Sequence, residues 1–242
     1  MKLNCDLGES YGIWQLGQDN KLMPHIDMAN IACGFHAGDP SVINSTLLLA
    51  KNNQTEVGAH PSYPDKVGFG RRSMKCSTSE IIDFMHYQIA ALDGMAKNHG
   101  ITISYVKPHG ALYNDMMSSS NVADAIFESI HQYHRPLKLM LLATPDQSSY
   151  QDKAKQYRID LIFEAFADRR YTSTGHLMSR EHPKALLNKQ EMLEQVENLI
   201  SKKVVISQSG EPLVLKVDSL CVHGDNAEAI NVIKQLKLLC SK

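Results

Sequence analysis

Short apolar runs alternate with helix-patterned segments along nearly the whole chain, and this alternation limits the fold more than any other feature. Runs at residues 2–7, 29–35, 56–60, 103–109, 137–143, 160–166 and 213–223 read as strands. Between them the apolar spacing is helical. Val42, Ile43, Thr46, Leu47 and Ala50 share one face of a helix expected over 40–53. Ile81, Ile82, Met85, Ile89 and Leu92 do the same over 80–98, behind a Ser77/Glu80 capping box and ahead of a His99-Gly100 stop. Further helices are expected over 120–133, 146–157, 183–201 and 226–239. Such alternation builds a parallel sheet covered by helices. The number of units suits closure into a TIM-like β/α-barrel, which typically needs about 250 residues. With 242 residues, one domain over 1–242 is expected.

Charge and composition argue against several classes of function. Lys and Arg number 25 against 26 Asp and Glu, a net charge of -1, so neither nucleic acid nor an anionic membrane is an expected partner. The opening MKLNCDLGES meets Asp6 and Glu9 with no apolar core before them, unlike a signal peptide. No apolar run is long enough to span a bilayer. The five cysteines (Cys5, Cys33, Cys76, Cys221, Cys240) are odd in number and form no C-x-x-C pair. Reduced thiols in a cytoplasmic protein are the simplest reading. Cys33 and Cys221 read as small buried apolar residues.

Four of the strand-to-helix corners carry histidine: His36 in IACGFHAGDP, His60 in VGAHPSYPD, His109 in VKPHGALYN and His223 in LCVHGDN. The first strand ends instead in NCDLGES, supplying Asn4, Asp6 and Glu9. In a parallel barrel all these ends lie on one face, where β/α loops build active sites. Small residues beside each histidine leave room for a ligand. The other seven histidines (His25, His86, His99, His131, His134, His176, His182) read as ordinary surface or core residues. Asp39 and Asp225 read as helix caps.

Three more segments belong to that face. GFGRRS offers Arg71 and Arg72, of which one is expected to grip a carboxylate or phosphate and the other to be a turn residue. FEAFADRRY places Glu164, Asp168 and Arg169 around a strand end, as site groups or as an internal ion pair. Lys107 sits inside an apolar strand, where an ammonium needs a partner such as Asp6 or a substrate carboxylate; Lys216 raises the same problem. There is no G-x-x-x-x-G-K-[ST] phosphate loop and no H-E-x-x-H zinc helix. A metal held by Asp6 and two of the strand-end histidines is chemically possible.

The stretches LNCDLGESYG, ANIACGFHAGDP, VGAHPSYPD, GFGRR, VKPHGALYN, FEAFADRRY, LMSR and CVHGD, spread from residue 3 to 225, resemble the LamB/YcsF family. The resemblance implies a β/α-barrel of the glycoside hydrolase/deacetylase type. It also implies the activity of an A subunit of bacterial 5-oxoprolinase. With B and C subunits, such a protein opens 5-oxo-L-proline (pyroglutamate) to L-glutamate as ATP is hydrolysed to ADP and phosphate.

A lactam is a stabilised amide with a poor leaving group. Phosphorylating its oxygen makes an imidate that water can attack, given a general base, oxyanion donors and a carboxylate anchor. On that chemistry Asp6 and His109 are the expected acid and base, with His36 and His60 lining the reacting centre. Asn4, Glu9, Arg71, Lys107, Glu164, Arg169 and His223 are the expected substrate-binding groups. Two other readings stay open: a protein that only binds the lactam or its phosphorylated intermediate while its partners do the chemistry, and a metal-dependent amidohydrolase of acetylated sugars.

Overall fold

The structure, a computed structural model, describes residues 1–224 and 227–241, so Asp225 and its expected helix cap lie outside the described residues. The strands are β1 (Lys2–Leu7), β2 (Met28–Ala32), β3 (Glu56–His60), β4 (Tyr105–Val106), β5 (Lys138–Leu142), β6 (Leu161–Phe166), β7 (Val204–Ile206), β8 (Pro212–Val214) and β9 (Ser219–His223). A closed barrel runs β1-β2-β3-β4-β5-β6-β9, every neighbouring pair parallel. Strands β7 and β8 form a separate antiparallel pair. The helices are α1 (Asp19–Leu22), α2 (Pro40–Asn52), α3 (Thr78–Asn98), α4 (Gly110–Ser118), α5 (Ser120–His131), α6 (Ser148–Tyr157), α7 (Lys189–Lys202) and α8 (Ala227–Cys240). Among the described residues, no helix is long and apolar enough to cross a membrane.

The caps set the helix starts. Asp39 accepts from the Ser41 and Val42 amides, and Ser77 with Glu80 forms the expected capping box. Helix α7 begins six residues later than its apolar pattern suggests, because Asn188 and Glu191 make a capping box there. Several expected strands are shorter in the fold, two of them markedly. The run at 103–109 pairs only at Tyr105–Val106, since Pro108 has no N–H to give a ladder and His109 already caps α4. The run at 213–223 divides into β8 and β9 around an exposed Lys216. That ammonium stays in water and needs no internal partner, contrary to its expected burial.

Period-two alternation divides each barrel strand between two environments. Leu3, Cys5, Leu7, Ile31, Val57, Val106, Leu139, Leu141, Phe163, Leu220 and Val222 join the apolar layer that the helices cover. The opposite set fills the barrel. Met28, Tyr105 and Met140 form a small apolar cluster of their own. Around it the interior holds four fully buried polar residues, Asn4, Asn30, Glu164 and Ser219. Burial of such groups is tolerable only when they satisfy one another. Most of them do: Asn4 donates to Glu164 Oε2 (3.1 Å) and Ser219 (2.8 Å), Asn30 to Asn4 (2.8 Å), and the Tyr105 hydroxyl to Asn30 (2.6 Å), while Glu164 Oε1 is buried without a hydrogen bond. The tyrosine fits because its neighbour is glycine; a Cβ on Gly58 would stand 2.2 Å from the Tyr105 ring.

Candidate active site

At the carboxyl end of the barrel the interior turns ionic. Strand β1 delivers Asp6, and the residue after β4 delivers Lys107. Asp6 Oδ1 accepts from Lys107 Nζ at 2.9 Å and from Asn30 Nδ2 at 2.7 Å. Glu164 Oε2 lies 3.2 Å from the same ammonium. Burial alone would raise the Asp6 carboxyl, but the charges of His60 and Lys107 hold it well below the usual range. Burial would likewise strip the proton from Lys107, and the surrounding anions, Asp6 foremost, keep it on. The partner expected for Lys107 is thus Asp6, with Glu164 as a second.

Beside this pair stand three imidazoles. His60 ends β3, His109 precedes α4, and His36 lies in the β2–α2 loop. His60 Nδ1 is 2.6 Å from the Lys107 carbonyl, and His109 Nε2 is 2.9 Å from the Phe69 carbonyl. A carbonyl oxygen only accepts, so each of those nitrogens carries the ring hydrogen. The remaining nitrogens, His60 Nε2 and His109 Nδ1, face each other at 3.0 Å. In the neutral rings both present lone pairs. His36 stacks on His109 with ring centroids 3.7 Å apart and planes within 2°. Glu9 Oε1 lies 3.3 Å from His36 Nε2 and 3.5 Å from His109 Nδ1. The loop at Gly70 presses on this group: a Cβ there would be 2.9 Å from both His36 and His109. Burial first, and then the neighbouring imidazoles, push His36 and His109 well below the ordinary histidine range.

Lone pairs converging without hydrogens call for a cation. One proton shared between His60 and His109 satisfies the geometry; so does a divalent metal. Both ring nitrogens of His36 are buried without a hydrogen bond, which leaves that ring available as a ligand. One donor atom each from Glu9, His36, His60 and His109 falls within 4.8 Å of the others, a nitrogen-and-oxygen set suited to zinc or a similar ion. The set expected from the sequence was Asp6 with two strand-end histidines, and Asp6 Oδ2 does lie 3.5 Å from His60 Nε2 and 3.9 Å from His223 Nε2. Asp6 also groups with Cys221 and His223, and its Oδ1 is engaged by Lys107 and Asn30.

His223, the last residue of β9, is oriented from behind. Its Nδ1 lies 3.0 Å from both oxygens of Asp168, so Nε2 points the other way, 3.9 Å from Asp6 Oδ2. Asp168 is wholly buried, and although burial raises its carboxyl, the His223 charge and hydrogen bond bring it below the usual value. Asp168, read from the sequence as a site group or as part of an internal ion pair, is paired with His223. It continues the inward parity of Glu164 and Phe166 two residues past the strand, which is the signal that marks it.

These groups open on a cavity of about 690 Å³ lined by Asp6, Glu9, His60, Lys107, His109 and His223, together with Arg71, Arg169 and Arg180. Three expected site residues stand off its surface. His36 is buried against His109, and Asn4 and Glu164 are sealed in the barrel, because inward positions one layer down have no route to solvent. Arg71 and Arg72 both line the cavity, and Arg72 is also tied to Asp65 within its own loop. His86, His99 and His131 bond to Ser129, Asn44 and Tyr157 away from the cavity.

Residues 1–241 match the LamB/YcsF family. A Pseudomonas putida protein named as a second A subunit of 5-oxoprolinase is 48% identical over 236 residues, covering 97% of this chain and 92% of the relative. The 5-oxoprolinase A subunit of Vibrio parahaemolyticus is 46% identical over 238 residues, covering 98% and 94%. Among solved structures, a lactam utilization protein from Thermus thermophilus superposes with a TM-score of 0.89 at 33% identity, over 100% of this chain and 97% of the other. A putative cellobiose-phosphate cleavage protein from Enterococcus faecalis shares the fold alone, with a TM-score of 0.52 at 11% identity over 100% and 90%. On sequence and fold together, the chain belongs to the LamB/YcsF family.

Proposed function

We propose that this protein is the A subunit of an ATP-dependent 5-oxoprolinase, opening 5-oxo-L-proline to L-glutamate together with B and C subunits. The observation that carries the reading is the 48% identity to a relative of that name over 97% of the chain. The site chemistry suits it. Transfer of the γ-phosphoryl group of ATP to the lactam oxygen forms an O–P bond, releases ADP and sends the lactam N–H proton to a base. The product is a C=N imidate phosphate. A water oxygen then bonds to the ring carbon; one of its protons goes to a base and the ring nitrogen gains a proton. The hydroxyl proton then passes to the nitrogen as the C–N bond breaks, leaving a free amine and an acyl phosphate. A second water cleaves the acyl phosphate to carboxylate and inorganic phosphate.

Proton transfer in this sequence falls to His109 and His223, which line the cavity. The depressed carboxyl of Asp6 suits it to holding positive charge beside the reacting atoms rather than to accepting a proton. Were a divalent metal held by Glu9, His36, His60 and His109 in place of the shared proton, it would supply Lewis-acid polarisation and leave proton transfer to His223 alone. The test is glutamate formation from 5-oxo-L-proline and ATP, with the B and C partners present and absent. Glutamate from the three together supports the reading; none from the complete set rejects it.

The cation-seeking histidine cluster favours a second reading, a metal-dependent amidohydrolase. Turnover that continues when ATP is omitted and stops on metal removal would select it over the first.

A further inference from the structure

Two loops that wall the cavity also carry an apolar surface with no part in the chemistry above. Between β1 and α1, Ile13 is 92% exposed and Trp14, the chain's single tryptophan, is 70% exposed. Between β3 and α3, Val67 is 93% exposed. Lys66 joins the two loops, its Nζ 3.8 Å above the Tyr11 ring. Scattered exposed apolar residues are ordinary, but a group of them on adjoining loops marks a surface that another molecule covers. Looseness of the loop does not account for the exposure. Tyr11 and Trp14 exchange two backbone hydrogen bonds of 2.9 Å, the Gly12 amide donates to the Asp39 carboxylate at 2.7 Å, and the Gly38 amide donates to the Ser10 carbonyl at 3.0 Å. A tight turn, tied down at its base, thus holds Ile13 and Trp14 out in water. A side chain presented in this fixed way loses little conformational freedom on docking.

We propose that the Tyr11–Trp14 turn and the loop at residues 65–75 form the surface on which a partner subunit docks. The partner meets the barrel at the cavity mouth with an apolar socket for Trp14 edged by carboxylates. The proposal rests on the function proposed above, a reaction shared between subunits. Continuity with the site favours this occupant. The first loop also holds Glu9 and the second holds Phe69, Arg71 and Arg72, all on the cavity wall. A subunit that shares one reaction with this chain has to reach that opening. Charge favours it too. In a chain of net charge -1, residues 65–75 hold four cations (Lys66, Arg71, Arg72, Lys75) and one carboxylate, Asp65, which Arg72 already pairs. A two-fold dimer would set this basic patch against itself, whereas an acidic partner complements it. Tryptophan, tyrosine and arginine are also the residues that carry most binding energy at protein interfaces.

The test measures binding of the B and C subunits to the whole chain by biolayer interferometry, with ATP and 5-oxo-L-proline present. It compares the wild type with Trp14→Ala and Val67→Glu. Val214→Ser and Leu238→Ser serve as controls, since both residues are exposed on elements, β8 and α8, that give nothing to the cavity wall. Trp14→Ala should weaken binding by about thirtyfold or more, the scale of an interface hot spot. Val67→Glu, which sets a carboxylate against an acidic partner, should weaken it by about tenfold or more. Both controls should bind like the wild type, and added salt should weaken all the complexes. Melting temperatures close to the wild type confirm that the exposed-site variants fold. A wild-type chain that does not bind B and C, or Trp14→Ala and Val67→Glu that both bind like the wild type, would overturn the proposal. A dimer of this chain alone that Trp14→Ala abolishes would assign the surface to a second copy and overturn it. A shift of Trp14 fluorescence with 5-oxo-L-proline alone would make the turn a lid over its own cavity, with the same consequence. Glutamate formed by the wild-type complex alongside unaltered binding of the variants rejects the docking surface and leaves the proposed function standing. No glutamate from the complete set of three proteins rejects the function itself.

Discussion

His60 and His109 meet through two ring nitrogens 3.0 Å apart, and the opposite nitrogen of each ring is held by a backbone carbonyl. The backbone therefore fixes both tautomers and turns two lone pairs on one point, with Glu9 and Asp6 at 3.5 Å adding negative potential. Metal-free protein titrated with Zn²⁺ or Co²⁺ should gain thermal stability with one-to-one saturation, since a ligand that binds only the folded chain raises its stability. His109→Ala should lose that gain. An unchanged melting temperature on saturation with either ion would leave the proton as the sole occupant.

The same histidine is central to turnover. His109→Ala should reduce ATP-dependent glutamate formation in the reconstituted complex by about a hundredfold or more, within the usual contribution of a general acid or base. Circular dichroism should show the fold intact, because the ring lies at the cavity and not in the helix-covered layer. Near-normal turnover in the variant would remove His109 from the mechanism.

Asp168 acts through His223 and has no place on the cavity wall. Asp168→Asn keeps the volume but removes the charge that fixes the imidazole tautomer, a change that lowers kcat by up to about 10⁴ where such a pair drives catalysis. The expected result is a fall in kcat with KM little altered and a changed pH profile. A purely structural role would lower stability and leave the pH profile of the remaining activity as it was.

Much of this site was legible in the residues alone. Strands β1 and β3 have the bounds that their alternation indicates, and each carries a polar residue at or next to its end, Asp6 and His60, whose parity points into the barrel. What the alternation could not convey was register between distant strands. Asp168 and His223 are 55 positions apart and meet only because β6 and β9 close the barrel side by side. Helix α4 was hidden because it starts directly behind Pro108-His109, which reads as a strand end, and has no side-chain cap to announce it. Glu9 lies in a loop with no periodicity, so its approach to the histidines depends on tertiary packing alone.

Lys107 is a single ammonium between two buried carboxylates, and removing it leaves both uncompensated. Lys107→Met should lower the unfolding free energy by about 3–5 kcal/mol, the scale for breaking a buried pair from one side. Urea unfolding at neutral pH measures this directly. The double variant Lys107→Met, Glu164→Gln should recover part of the loss. An unchanged midpoint in the single variant would show that the two carboxylates are solvated or protonated instead.

Far from the cavity, Asp93 on α3 provides a pH-dependent contribution of known sign. It is 1% exposed, and its carboxylate accepts from Arg135 at 2.8 Å and from the Tyr133 hydroxyl at 3.1 Å, with Lys97 at 3.5 Å. Burial alone would raise the carboxyl; the Arg135 hydrogen bond and charge outweigh it and bring it below the ordinary value. The unfolded chain therefore binds this proton more readily than the folded one. The contribution is fully present above the unfolded value of about 3.9 and disappears as pH falls through the lower folded value. Asp93→Asn should cost about 1.5–3 kcal/mol at pH 7, the range for hydrogen bonds to a charged group. The difference from the wild type should narrow as pH drops below about 4. Chemical unfolding of both proteins from pH 7 to pH 3 gives the comparison. A gap that stays constant over that range would mean that the ionised form of Asp93 adds nothing and that only its shape matters.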